Sequence, residues 1–401
     1  MKFNLNSFLI GISTALDLSE REIFHTNLFH SRRVAYISVR IAKELGLDDE
    51  TCFDMVSLAI MHDNGLTEAA LNNNLLNDDV DLKVLENIKE HCTIGERNIE
   101  SFPFLTKPKN IILYHHEYFN GSGFFGEKGD GIPLLSRIMS LADDLDFKFD
   151  MTDTLLENKV QIKEFVQQGS NTLFDPEIVD VFMKISATTS FWMDMQETTI
   201  IQSLVDYLPD ISIDADWSEI FKITNVFSSI IDSKSKFTYR HTSGLIEKVA
   251  KMSEYYGYDA EKSIKLKIAA SLHDLGKLAV PNTILEKNGD LTPEDFDIIK
   301  IHTYFTHFTL RNIEAFHEIE RWAYCHHEKL DGSGYPYGFS ADELGFEERL
   351  MACLDIYQAL TEDRPYRAGV GHNGTMEIMK KMVDKNYIDA KITEDINIVF
   401  K

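Results

Sequence analysis

The sequence predicts an all-α protein built from two tandem helical bundles related by internal duplication. Three observations carry that expectation. Apolar residues recur at three- and four-residue intervals, as at Leu245, Val249, Met252 and Tyr256, and at Ile264, Ile268 and Leu272; that period lines one face of a helix. Strand-like alternation is weak apart from short runs such as LAVP at 278–281, and nine prolines leave few helix interruptions. Ten of the 14 histidines form five pairs at one offset of 211 residues: His30 and His241, His62 and His273, His91 and His302, His115 and His326, His116 and His327. A fixed offset held over most of a chain marks a repeat. Asp143 and Asp355 continue the series, slipped by one.

The 401 residues, 44% of them apolar, are enough for two ordinary cores. The copies are expected at 1–210 and 211–401, joined near the polar stretch PDISIDADW. The N-terminal segment MKFNLNSFLIGISTALDLSE reads as an amphipathic helix, because Ser13, Thr14 and Asp17 interrupt its apolar patch. Thr292, Pro293, Glu294 and Asp295 form a helix start, with a cap, proline at the first position and acidic residues in the first turn. No apolar run reaches the roughly 18–20 residues that span a bilayer. The four cysteines (Cys52, Cys92, Cys325 and Cys353) form no C-x-x-C pair, so a disulfide framework is not expected and a reducing cytoplasm fits. A net charge of −25 argues against a nucleic-acid polymer as partner. Any anionic substrate needs a local cationic site.

The second copy sets His241, His273, Asp274, His302, His326, His327 and Asp355 on separate helices or helix ends. Imidazoles and carboxylates are the donors that Zn, Mn or Fe take. One such set exceeds the needs of a single ion, and an aspartate flanked by histidines can bridge two. A single buried histidine is as a rule a hydrogen-bonded core residue, but a set repeated at a fixed offset points to metal.

The run HDLGK, the isolated histidine of IKIHT, then HHEKLDGSGYP and LDIYQALTEDRPYR resembles the HD-GYP family, a branch of the HD phosphohydrolase superfamily. The likeness covers about His241 to Arg367. It implies an all-helical fold and a metal-dependent phosphodiesterase acting on cyclic di-GMP or cyclic GMP-AMP, with a hydroxide held by two metals as nucleophile. Carried over motif by motif, the ligands are His241, His273, Asp274, His302, His326, His327 and Asp355, with Asp274 bridging. The implied ions are iron or manganese, with nickel, cobalt or zinc as alternatives. Lys277 is implied to contact the scissile phosphate, and Arg364 and Arg367 the other phosphate or a guanine face. The Gly332, Gly334, Tyr335 and Pro336 loop is implied to shape the site mouth and to offer a surface for protein partners, although Gly-Ser-Gly-x-Pro is also an ordinary turn. Two departures stand out. Phe237 occupies the place where some members carry a third-metal glutamate, so two ions are expected. Gln358 stands where an aspartate is frequent.

The first copy keeps His30, His62, Asp63, His91, His115, His116 and Asp143, a candidate second metal site. It loses the groups around them. Leu66 replaces the lysine, Phe124 and Phe125 replace Tyr-Pro, the arginines are absent, and Lys148 is the only cation in the stretch after Asp143. Three roles stay open for it: a weak second catalytic site, a regulatory domain binding metal or nucleotide, or a structural partner mimicking one half of a dimer. The chain is accordingly expected to be a monomer with a pseudo-dimeric domain pair, or a homodimer. The alternatives to a cyclic-dinucleotide phosphodiesterase are a non-catalytic receptor or docking protein and another HD nucleotide phosphohydrolase.

Overall fold

A computed structural model describes residues 1–24, 27–73, 88–152, 156–235, 241–287, 289–363 and 368–401. Phe237, Arg364 and Arg367 lie outside the described residues. The chain forms two compact units, Met1–Asp214 and Ala215–Lys401. Both are helical throughout, and the chain is all-α: among the described residues the one sheet pairs Lys2–Phe3 antiparallel with Ile213–Asp214.

The first unit begins with helix Leu5–Phe24, the amphipathic segment expected at the N-terminus. Its next helices are His30–Glu44 and Asp49–Ile60. Their counterparts in the second unit are His241–Tyr255 and Ala260–Leu272. The repeat extends to the punctuation between these helices. Gly46 (φ 77°) and Gly257 (φ 66°) follow the first helix of each pair in the left-handed region, where a side chain is strained. Asp48 and Asp259 cap the second: Asp48 accepts from Thr51 N at 2.8 Å and Asp259 from Lys262 N at 2.7 Å. Each capped helix is buried along its last half and delivers a His-Asp dipeptide at its C-terminal end. In the second unit the expected apolar stripe is the core: Leu245, Val249, Met252, Ile268 and Leu272 are all buried, with Ile264 at the margin.

Two details go beyond what the sequence indicated. The PDISIDADW stretch is not simply a polar connector. Its Ile213–Asp214 pair forms the strand that ties back to the N-terminus, with Lys2 Nζ 3.0 Å from Asp214 Oδ2, and Asp216 then opens helix Trp217–Ser233 through a capping box with Glu219. The apolar LAVP run is no strand: Leu278 and Ala279 belong to the 3₁₀ turn Leu275–Ala279. The turn is held by Lys277 N donating to Asp274 O and by packing against helix Pro293–Leu310. That long helix begins as the sequence indicates, with Thr292 and Asp295 capping each other's backbone.

Replacing Asp259 by Ala removes the cap of the helix that carries His273. It should lower stability by about 1 kcal/mol, read as a lower urea midpoint, with helix content otherwise unchanged.

Candidate metal centre

His273 caps the end of helix Ala260–Leu272, and the chain turns at once into the 3₁₀ segment. Gly276 makes this turn fit against helix Pro293–Leu310. Its N–H donates to Thr306 Oγ1 at 3.0 Å, and that hydroxyl donates to His273 O at 3.0 Å. A Cβ on Gly276 would fall 1.9 Å from His302 O, so only glycine brings the dipeptide this close to the helix that carries His302. Gly65 does the same against His91 O in the first unit, where a Cβ would fall 2.3 Å away.

The second unit gathers all seven expected donors around two carboxylates. Asp274 lies 3.1 Å from His273 Nε2, 3.5 Å from His302 Nε2 and 3.9 Å from His326 Nε2. Asp355 lies 2.9 Å from His241 Nε2, 3.9 Å from His273 Nε2 and 4.0 Å from His327 Nδ1. The two groups share His273, as a site for two neighbouring cations would. All seven side chains are buried apart from His327, which is half-buried.

Their hydrogen bonds test whether a metal fits. His273, His302 and His326 each give Nδ1–H to the backbone carbonyl three residues earlier, those of Ala270, Ile299 and Ala323, at 2.8, 2.7 and 2.6 Å. A carbonyl only accepts, so Nδ1 carries the proton and Nε2 carries a lone pair. Burial keeps two of these rings neutral: it holds His302 down to about 3 and His326 well below its ordinary value. Yet His302 Nε2 and His326 Nε2 face each other at 3.3 Å. Two lone pairs at that distance repel unless a cation lies between them. His273 Nε2 and Asp274 Oδ1 are also buried without a hydrogen-bond partner, a costly state that ligation relieves. The donor set therefore fits divalent ions, with the ring orientations fixed from behind as metal histidines require.

His241 is oriented differently. Its Nδ1 meets Glu362 Oε2 at 3.1 Å. Burial opposes its charge, but Asp355 and Glu362 together raise its pKa to about 10. Gln358, the departure noted in the sequence, donates Nε2–H to the same Glu362 oxygen at 2.9 Å and accepts from Lys248 Nζ at 2.5 Å. The first unit does this with an aspartate: Asp146 accepts from His30 Nδ1 at 2.7 Å and from Arg33 Nε at 2.5 Å. At the positions matching Arg33 and Asp146 the second unit has Gly244 and Gln358, and a Cβ on Gly244 would fall 2.4 Å from Gln358 Nε2. The buried arginine–aspartate pair is thus exchanged for a glutamine–glutamate relay, and Glu362 takes over the aspartate's task.

Lys277 Nζ stands 2.5 Å from Asp274 Oδ2, the only lysine or arginine among the described residues in contact with the centre's carboxylates. The Gly334, Tyr335 and Pro336 loop is built by Glu328 of the His-His-Glu run. That carboxylate accepts from the N–H groups of Tyr337, Gly338 and Phe339 at 2.8, 3.2 and 3.0 Å. The loop needs Gly334, where a Cβ would fall 2.5 Å from Glu328 Cα, and it sets the Tyr335 ring 4.9 Å from that of His327.

The first unit repeats the arrangement. Asp63 lies 3.4, 3.2 and 3.6 Å from Nε2 of His62, His91 and His115. Asp143 lies 3.3 and 3.6 Å from Nε2 of His30 and His62, and 3.5 Å from His116 Nδ1. What surrounds it has changed. Leu66, in the lysine's place, is buried in an apolar cluster with Ile23, Ala70 and Ile88. Lys148 is paired with Asp144 at 2.5 Å. Phe124 sits against His116 where Tyr335 sits against His327. Two groups were not assigned to the site from the sequence. Glu20, from the N-terminal helix, places a buried, unpartnered Oε1 3.4 Å from His30 Nε2, where the second unit has Ile231. Cys92, buried, places Sγ 3.5 Å from His91 Nε2. Burial raises that thiol, but His91 and His115 outweigh it and draw its pKa down to about 6. Lining up the copies at 211 residues would have flagged both positions. The other cysteine beside a histidine, Cys325, packs instead with Tyr324 and Leu344.

Comparison with known proteins agrees with this geometry. The HD domain family matches the chain twice, over residues 20–178 and 225–392. The chain is similar to 3'3'-cGAMP-specific phosphodiesterase 1 of Vibrio cholerae, 26% identical over 98% of this chain and 91% of that protein. It is also similar to 3'3'-cGAMP-specific phosphodiesterase 3 of the same organism, 27% identical over 94% of this chain and 91% of that one. A cyclic di-GMP phosphodiesterase of Thermotoga maritima is 32% identical over 37% of this chain and 41% of its own length. The crystal structure of a cyclic GMP-AMP specific phosphodiesterase of Vibrio cholerae, V-cGAP3, has the same fold, with a TM-score of 0.70 over all of this chain and 98% of that one at 24% identity.

If Glu362 holds His241, replacing it by Ala should weaken metal binding by the full chain about 10- to 100-fold in calorimetric titration.

Proposed function

The chain belongs to the HD domain family, twice over, and is a phosphodiesterase; on that premise we propose that its second unit opens a cyclic dinucleotide, 3'3'-cyclic GMP-AMP before cyclic di-GMP. The observation that carries the assignment to this unit is Lys277. An ammonium stands beside Asp274 there, whereas the matching Leu66 is sealed in an apolar cluster. The preference among substrates rests on extent of likeness. The two relatives that match across both copies are cGAMP-specific, while the Thermotoga cyclic di-GMP enzyme and a third cGAMP-specific relative each match over about a third of the chain.

His241, His273, Asp274, His302, His326, His327 and Asp355 are the residues that would hold the metal. When bound, two divalent ions, iron or manganese for this histidine–carboxylate set, supply polarisation of a phosphoryl oxygen and a water acidic enough to attack near neutral pH. The chain's own groups do the rest. Lys277 moves from Asp274 to the scissile phosphate and stabilises the charge that builds on its oxygens. Two nearby buried carboxylates are already engaged: Glu328 by three backbone N–H groups of the loop, Glu362 by His241 and Gln358. Among the side chains this leaves Lys277 to give a proton to the departing 3' oxygen, with a metal-bound water as the alternative donor. The Tyr335 ring, beside His327, offers a flat face for a base. Arg364 and Arg367 remain proposed contacts for the second phosphate. The first unit adds Glu20 to its carboxylates and has no free cation beside them among the described residues. With Leu66 in the place of Lys277, it lacks the ammonium that would meet the scissile phosphate, and the hydrolysis is assigned to the second unit.

The test is to incubate metal-reconstituted full-length protein with each cyclic dinucleotide and separate the products by mass. The linear dinucleotide should form, faster from 3'3'-cyclic GMP-AMP. Lys277→Ala should slow turnover by about 10²-fold or more while the metal content stays the same. Tight binding with no turnover in the metal-loaded wild type would instead identify a receptor.

A further inference from the structure

The first unit keeps its seven donors yet gains one that the second lacks. Cys92 follows His91 directly, and the residue after His302 is Thr303. Thr303 Oγ1 is turned onto its own helix, donating to Lys300 O at 3.0 Å. Cys92 Sγ is turned into the pocket.

Four of the separations among Cys92 and its neighbours are those of a tetrahedral ion, and the donor atoms of His91, Cys92, His115 and His116 all lie within 4.8 Å of one another. With zinc–nitrogen bonds of about 2.0–2.1 Å and zinc–sulfur bonds of about 2.3 Å, neighbouring donors lie roughly 3.3–3.6 Å apart. His91 Nε2 and His115 Nε2 are 3.3 Å apart, and Cys92 Sγ is 3.5 Å from His91 Nε2. Asp63 Oδ1 is 3.2 Å from the first nitrogen and 3.6 Å from the second. That oxygen is buried with no hydrogen-bond partner. Both histidines give Nδ1–H to backbone carbonyls, His91 to Ile88 and His115 to Ile112 at 2.6 Å, so Nε2 is the nitrogen each ring turns inward.

We infer that the first unit binds a thiophilic divalent ion, of the zinc class, through His91, His115, Asp63 and the thiolate of Cys92. Four protein donors close the coordination sphere. A closed sphere leaves no position for water or phosphate, which is the difference between a structural and a hydrolytic site. Binding releases the thiol proton to solvent. The duplicated pocket has thus been converted from a reaction site to a metal staple by one added donor at the foot of a conserved geometry, with the lysine lost to the apolar core beside it.

Cobalt(II) is the probe, because a thiolate bound to it gives a near-ultraviolet charge-transfer band and oxygen or nitrogen donors do not. Full-length protein freed of metal and loaded with cobalt should show the band. Cys325→Ser should retain it and Cys92→Ser should lose it. A second readout needs no variant. Zinc-loaded wild type is alkylated with and without chelator, and each cysteine is followed by mass spectrometry. Chelation should speed modification of Cys92 well above that of Cys52, Cys325 and Cys353. No band in the wild type, a band that survives in Cys92→Ser, or a Cys92 rate indifferent to the chelator overturns the inference. Neither readout involves turnover, so either result leaves the second unit's assignment to be judged by its own assay.

Discussion

The structure depends on a repulsion. Three histidines in each unit give Nδ1–H to backbone carbonyls, and in each unit two of the inward-facing Nε2 atoms meet at 3.3 Å. Buried lone pairs do not tolerate that distance in an apolar core. A cation turns the same geometry from a cost into a ligand cage. The glycine turns, the capped helices and the threonine link between His273 O and Gly276 N hold these rings where only a cation satisfies them.

Because the cage rests on backbone features, it survives duplication while its contents change. The Asp caps, the left-handed glycines and the close-packed Gly65 and Gly276 recur at the same offset in both units. The variable parts are side chains that reach the cage from outside. The second unit presents Lys277 and the Tyr335 loop. The first presents Glu20, Cys92 and Phe124, and buries Leu66. One scaffold thereby presents two different sets of side chains to the cage, and the difference lies in a handful of charges and one sulfur. The same economy appears behind the first histidine, where an arginine–aspartate pair in one unit is a glutamine–glutamate relay in the other. Each solution fixes one ring nitrogen, and each is complete only as a pair: Arg33 with Asp146, Gln358 with Glu362.

Much of this was legible in the sequence, for physical reasons. Histidine is scarce enough that its spacing carries signal, so the duplication and all fourteen donors could be named from their positions. The helical class followed from apolar period. The misses share a cause. Glu20 precedes His30 by ten residues on a different helix, and Glu362 lies seven beyond Asp355. Neither spacing belongs to a local motif, and only the packing of helices brings them to the rings. Cys92 was visible as a cysteine beside a histidine, but so was Cys325. Sequence alone does not say which sulfur turns inward, because that depends on the rotation of two short segments. The strand at Ile213–Asp214 was missed because two residues are too few for alternation to register.

The most direct measurement of the central claim is anomalous X-ray diffraction from crystals of the full chain loaded with manganese or iron. The account predicts anomalous peaks in the second unit between the Nε2 atoms of His302 and His326 beside Asp274, and beside Asp355 between His241 and His273. A direct hydrogen bond joining His302 Nε2 to His326 Nε2, with no anomalous peak between them in metal-soaked crystals, would contradict it.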